Sequence, residues 1–125
     1  MIKVTTDPAR QLIIAHMSGF LSTEEVDQYA RDKDAAVAAM GWRSGEYLLL
    51  IDTAKDVIQP QEIVAAFQHL AINTRYKPRR IAVTRTGSLT RMQTNRILSV
   101  RDNTAVFDTV EAAEAWLFAD DESGG

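Results

Sequence analysis

The segment Tyr47-Leu48-Leu49-Leu50-Ile51-Asp52 indicates the architecture of the chain, because an unbroken apolar run ends abruptly at a carboxylate and a polar loop. Such a run is typical of a strand that is buried on both faces of a sheet. Helices on the two sides of a mostly parallel sheet provide that cover. Ligands of such sheets gather outside the carboxyl ends of the strands, so Asp52 is expected at the functional edge.

The residues before this run predict a hairpin followed by a helix. Residues 2–6 begin with apolar and polar side chains in alternation, Asp7-Pro8-Ala9-Arg10 favours a turn, and a second β-rich run covers residues 11–17. Ser22 and Glu25 have the spacing of a capping box, and Gly41 is a typical helix end. We therefore predict a helix between Ser22 and Gly41.

The residues after this run predict two more strands and three more helices. Pro60 is expected in the first position of one helix, which fades before Pro78. Residues 79–84 and 104–107 read as strands, separated by a helix that starts around Thr86-Gly87-Ser88. Asp108 and Glu111 have capping-box spacing and predict the last helix.

The resulting order, β-β-α-β-α-β-α-β-α, predicts an α/β fold with one mixed sheet. We expect four to five strands, an N-terminal hairpin and about four flanking helices, with right-handed crossovers. The chain of 125 residues suits a single domain that buries roughly two-thirds of its surface. We assign residues 1–119 to this domain and residues 120–125 to a flexible acidic tail.

Composition excludes several classes of protein. Cysteine is absent, which excludes disulfides, thiolate nucleophiles and thiolate metal sites. No segment approaches the roughly 20 apolar residues of a membrane span, and the first residues lack the apolar core of a signal peptide. We expect a soluble, cytoplasmic protein without a cofactor.

Charge is segregated along the chain. Residues 1–74 carry −4, residues 75–101 carry +8 without an acid, and residues 102–125 carry −7 without a base. This pattern suits ordinary solvated faces, a complementary partner or an anionic ligand. Nucleic acid is not expected, because the chain is acidic overall and its basic run lacks a series of stacking aromatics. Peripheral membrane contact stays open.

Three segments resemble the SpoIIAA-like STAS family: Phe20-Leu21-Ser22-Thr23-Glu24-Glu25, Leu49-Leu50-Ile51-Asp52, and the terminal Val106 to Leu117 with its Phe-Asp-x-x-Glu-Ala-x-x-Trp-Leu pattern. The resemblance spans nearly the whole chain. It implies a STAS fold, related in shape to SEC14-type lipid-binding modules. It also implies a non-enzymatic role in binding partner proteins, small apolar ligands or membrane surfaces.

One feature of that family is missing. The anti-sigma-factor antagonists carry a phosphorylatable Ser near the start of the helix after the third strand, where this chain has Gln59-Pro60-Gln61-Glu62. Thr53 lies several residues before the helix, and a phosphate at the helix start would meet Glu62. A kinase-controlled switch of that type is therefore not carried over.

The side chains with chemical potential give no catalytic signature. Asp52 could be a ligand, a general base or a residue that accepts backbone N–H bonds in the following turn. Asp56 could pair with it, but no third oxygen-rich segment completes a metal shell. His16 and His69 lack metal-ligand spacing and are read as structural. We predict no enzyme and no metal site.

The segment from Arg85 to Arg91 is the best local candidate for binding an anion. A helix start, two hydroxyls, Gly87 and flanking arginines suit a phosphate or carboxylate, although capping by Thr86 or Ser88 explains the same residues. The spacing is not that of a P-loop.

Two hypotheses about function follow. The first is a non-catalytic module that binds an unknown protein partner or a copy of itself, as in a homodimer, with contacts centred on Asp52, Asp56, Gln61, Arg85, Ser88 and Arg91. The alternative is a carrier or sensor of a small amphiphilic or lipid-like ligand between the sheet and the helices. In that case Phe67 and Leu70 contact the apolar part, and Arg85 or Arg91 holds a charged head.

Overall fold

The computed structural model describes residues 1–53, 57–85, 88–98 and 103–119, with backbone alone at residues 88–91 and 98. The elements are β1 Ile2–Asp7, β2 Leu12–Met17, α1 Thr23–Met40, β3 Leu48–Thr53, α2 Gln61–Asn73, β4 Arg80–Thr84, α3 Ser88–Leu98, β5 Thr104–Phe107 and α4 Val110–Leu117. A short 3-10 turn, Pro8–Arg10, joins β1 to β2. The predicted order of strands and helices is confirmed.

The five strands lie in the sheet in chain order, from β1 at one edge to β5 at the other. β1 pairs with β2 in antiparallel fashion, and the remaining neighbours are parallel. With right-handed crossovers this order brings α1, α2 and α3 to one face. α4 covers the opposite face, where it packs on β3, β4 and β5.

Burial on both faces of β3 is confirmed. Leu49 and Ile51 pack among residues of α1 and α2, whereas Leu48 and Leu50 pack against α4. Because side chains alternate along a strand, Asp52 shares the α4 face of the sheet with Leu48 and Leu50. This alternation decides on which side of the sheet each candidate residue lies.

The helix starts confirm one predicted cap and correct two. Ser22 and Glu25 form the predicted capping box, with Glu25 N–H donating to Ser22 Oγ at 3.2 Å. Pro60 precedes α2 as its cap instead of occupying the first helical position. For α4, Asp108 was the wrong N-cap: Thr109 is the extended residue before the first turn, so its Oγ1 accepts the Ala112 N–H at 3.1 Å.

A buried lysine joins α1 to the segment that follows α2. Lys33 is only 2% exposed, and its Nζ donates to Thr74 Oγ1 at 2.7 Å, to the Tyr47 hydroxyl at 3.2 Å and to the Tyr76 carbonyl at 3.2 Å. A buried ammonium is tolerated only when its donors are satisfied, as they are here. The cluster fixes the amino-terminal edge of the sheet.

Within the described residues, no helix has the length and apolar character that crossing a membrane requires.

We predict that Lys33→Ala lowers the free energy of unfolding by about 2–4 kcal/mol, because it removes three hydrogen bonds and leaves a cavity. Lys33→Met fills much of that volume without a buried charge and should cost less. Urea denaturation of the wild-type protein and both variants measures the difference. Wild-type stability in Lys33→Ala would contradict the role assigned to the cluster.

Candidate functional site

Gln59 ties together the loops at the carboxyl edge of the sheet. Its side chain accepts the Leu21 N–H and donates to the Gly19 carbonyl, both at 3.1 Å. Its backbone pairs with the side chain of Gln93 on α3: the Gln59 N–H donates to Gln93 Oε1 at 2.9 Å, and Gln93 Nε2 donates to the Gln59 carbonyl at 2.8 Å. We call these contacts the Gln59 clamp; they join the loop after β2, the loop before α2, and α3.

Three large apolar side chains are exposed beside the clamp. Phe20 is 72% exposed between Gly19 and Leu21, Ile58 is 46% exposed next to Gln59, and Met92 is 67% exposed next to Gln93. We call these three residues the apolar rim. Because each is the chain neighbour of a clamped residue, the clamp holds all three at one edge of the sheet.

Asp52 lies on the α4 face, between a histidine and a threonine. Thr84 Oγ1 donates to Asp52 Oδ1 at 3.1 Å, and His16 Nδ1 lies 3.5 Å from Asp52 Oδ2. An imidazole oriented by a carboxylate supplies two of the three members of a catalytic triad. The Thr84 hydroxyl, however, donates to Asp52 and also accepts the Thr53 N–H, so it is not presented to the imidazole as a nucleophile.

Phe67 and Leu70 line a cavity between the sheet, α1 and α2. This cavity lies close to the site predicted from the sequence for an amphiphilic ligand. Its volume is about 60 Å³, and Lys33 is the charged residue among its lining residues. Burial raises the pKa of Tyr29, another lining residue, so its hydroxyl stays neutral. Pockets for drug-sized ligands occupy about 300–1,000 Å³, so this cavity holds only a few atoms as it stands.

Gln61 and Arg85 both join segments at the carboxyl edge. Gln61 Oε1 accepts from Arg96 Nη2 at 3.0 Å, which links the start of α2 to α3. Arg85 Nη1 donates to the Val57 carbonyl at 3.2 Å, and Arg85 lines a pocket of about 10 Å³ together with Gln59.

The other predicted site residues lie away from the clamp or cannot be placed. Asp56 lies outside the described residues, as do the side chains of Ser88 and Arg91. The proposed anion loop between Arg85 and Arg91 falls largely in the same gap. Asp52 lies on the α4 face, and Phe67 and Leu70 lie at the internal cavity, so the predicted set divides among three places.

Sequence reasoning missed several residues that organise these places. Lys33 occupies the inward stripe of α1, three residues after Ala30 and four before Val37, and this spacing could have marked it as buried. Gln59 stands just before Pro60, near the position of the family's missing Ser. His16 faces Asp52 because β2 and β3 pair in that register, and no local sequence pattern indicates the register.

No protein family model matches the sequence, and no curated protein matches it. Among solved structures, the chain is similar to an uncharacterised protein of the DUF3478 family with a SpoIIAA-like fold, from Shewanella loihica PV-4. The TM-score is 0.68 at 18% sequence identity, and the match covers 94% of this chain and 92% of the other. A sequence identity of 18% supports a similarity of fold alone. By this likeness, the chain has the SpoIIAA-like α/β fold that its sequence resembles.

Proposed function

We propose that the protein is a non-catalytic binding module whose partner is another protein, contacted at the carboxyl edge of the sheet. The observation that supports this proposal is the Gln59 clamp, which holds the exposed side chains of Phe20 and Ile58 on two loops and that of Met92 on α3. Fixed loops lose little conformational entropy on binding, and this lowers the cost of association.

The chemistry of the apolar rim suits a protein partner. Aromatic residues and methionine are enriched at the centres of protein interfaces, where polar groups surround them. Phe20 and Met92 fit that composition, and Gln61 and Arg85 provide polar groups at the same edge. Gln61 and Arg85 are two of the contacts expected from the sequence, and both adjoin the rim. Asp52, another expected contact, lies on the α4 face of the sheet.

The non-catalytic part of the proposal is supported by the geometry around Asp52. Both carboxylate oxygens face a side-chain partner, and the neighbouring hydroxyl is directed at Asp52 rather than at His16. The proposal involves no cofactor and no nucleic acid. A cytoplasmic location remains a prediction from the sequence.

Site-specific photo-cross-linking in cells tests the proposal. We expect a benzophenone amino acid at Phe20, Ile58 or Met92 to give one and the same discrete protein adduct, because the rim residues face one partner. Ile72 on α2 is the matched control: it is 54% exposed, close to Ile58 at 46%, but it lies near the opposite end of α2. The adduct is identified by mass spectrometry, and an adduct with a second copy would indicate a homodimer.

Equal cross-linking from Ile58 and Ile72, or no discrete adduct from any rim position in folded protein, would contradict an interface at this edge.

We further predict that Gln59→Ala lowers the free energy of unfolding by about 1–3 kcal/mol, because the buried Leu21 N–H loses its partner and the hydrogen bond to the Gly19 carbonyl is lost. Gln61→Ala is the control: its exposed amide contacts Arg96 alone among the described hydrogen bonds, so the change should stay within about 0.5 kcal/mol. Urea denaturation measures both. Equal effects of the two variants on stability would argue against the clamp. If the clamp organises the interface, Gln59→Ala also weakens the rim adduct.

A second candidate is the carrier of a small amphiphile, favoured by the cavity at Phe67 and Leu70. The apolar lining suits a hydrocarbon chain, and Lys33 takes the place of Arg85 or Arg91 as the cation beside it. A charged head would have to replace one of the three hydrogen bonds of Lys33. The volume of about 60 Å³ means that α2 would have to move away from the sheet to admit such a ligand.

Native mass spectrometry of protein purified without denaturation tests the carrier. A bound mass of a few hundred daltons is expected if the cavity opens, and Ala71→Trp should abolish it by filling the space beside Phe67 and Leu70. A ligand-free wild-type chain, or a bound mass that survives Ala71→Trp, would rule out this candidate.

A further inference from the structure

β1 forms one edge of the sheet and directs a regular row of backbone groups away from it. Met1 and Ser18 form a hydrogen-bonded pair, with Met1 N donating to the Ser18 carbonyl at 2.7 Å and Ser18 N donating to the Met1 carbonyl at 2.9 Å. Such pairs alternate along antiparallel strands. The N–H and C=O groups of Ile2, Val4 and Thr6 therefore point outward.

A groove follows this edge. It has a volume of about 430 Å³ and is lined by the consecutive residues 2–6 of β1 and by Asp32, Ala35 and Ala36 of α1. Five consecutive strand residues can line one groove only if the groove runs along the backbone edge, since their side chains alternate between faces. The side chains of Ala35 and Ala36 are small, so α1 leaves space beside the strand.

An exposed edge strand beside a helix is the arrangement in which peptides add to a sheet as an extra strand. Proteins commonly protect such edges with proline, bulges or very short strands. β1 has six residues and contains none of these devices, although Lys3 adds a charge. Among the described residues, no other strand pairs with its outer side.

We propose that this groove binds an extended, basic segment of a partner protein, which joins the sheet as a sixth strand beside β1. The charge of α1 points to a basic segment. Its exposed residues Glu24, Asp27 and Asp32 outweigh the one exposed base, Arg31, because Lys33 is buried. Asp32 lines the groove itself.

The alternation of side chains makes the proposal more specific. Partner side chains on the α1 side of the sheet meet Asp32, whereas those on the other side meet Lys3, which pairs in register with His16 on the α4 face. A segment with lysine or arginine at every second position and neutral polar residues between them satisfies both faces. A second copy of β1 fits poorly, because it would bring a second acidic α1 beside the first.

A peptide of four Lys-Thr repeats, acetylated and amidated, tests the proposal against the ¹⁵N-labelled full chain. We expect saturable amide shifts and slower hydrogen exchange at Ile2, Val4 and Thr6. A peptide with four lysines followed by four threonines has the same charge without the alternation and should bind more weakly. This comparison separates strand addition from simple charge attraction.

Two variants with matched controls complete the test. Thr6→Pro removes an outward N–H from an exposed edge position without breaking the β1–β2 ladder, and should weaken binding about threefold or more, whereas Thr6→Ala should not. Asp32→Lys should weaken binding about tenfold, and Asp32→Asn less. Circular dichroism checks that each variant is folded, and Asp32→Lys tests the proposal even if Thr6→Pro does not fold.

Any one of four results would overturn the proposal. These are amide shifts confined to the apolar rim, equal binding of the two peptides, unchanged affinity in folded Asp32→Lys, and a homodimer paired through β1. Gln59→Ala should leave this binding unchanged. The edge site and the proposed interface at the rim can therefore fail independently.

Discussion

Burial of β3 on both faces organises the layers of the molecule. An apolar strand of this kind is stable only with a layer on each side. The crossover helices provide one layer, and α4 provides the other through Ala113 and Leu117. Removing the cover from either side would expose the central strand, so the order of all other elements follows from covering it.

Two buried polar clusters then fix opposite edges of this layered core. Lys33 ties α1 to the chain after α2 at the amino-terminal edge, and Gln59 ties the loops to α3 at the carboxyl edge. Both side chains are almost fully buried and have their hydrogen bonds made. Satisfied buried polar groups specify one arrangement, because any other arrangement leaves them without partners.

Gln59 stands near the start of α2, where anti-sigma-factor antagonists of the family that the sequence resembles carry a Ser. In this chain Gln59 joins neighbouring loops. The same edge then presents Phe20 and Met92 on a fixed frame. Two of the proposals place a partner on exposed surfaces, namely the apolar rim and the edge strand β1. The third candidate, the amphiphile carrier, uses the cavity beneath α2.

The order of elements, the burial of β3 and the capping box at Ser22 can be read from the sequence alone, because local spacing and apolar pattern carry that information. The SpoIIAA-like fold was implied by the resemblance of three segments to that family. The contacts of His16 with Asp52, and of Gln59 with Gly19 and Leu21, become visible only in the folded chain, because strand register and loop packing join residues far apart in the sequence. The tertiary structure also shows which face each residue occupies. It also separated Asp52 from Phe67 and Leu70, since a strand directs successive side chains to opposite faces.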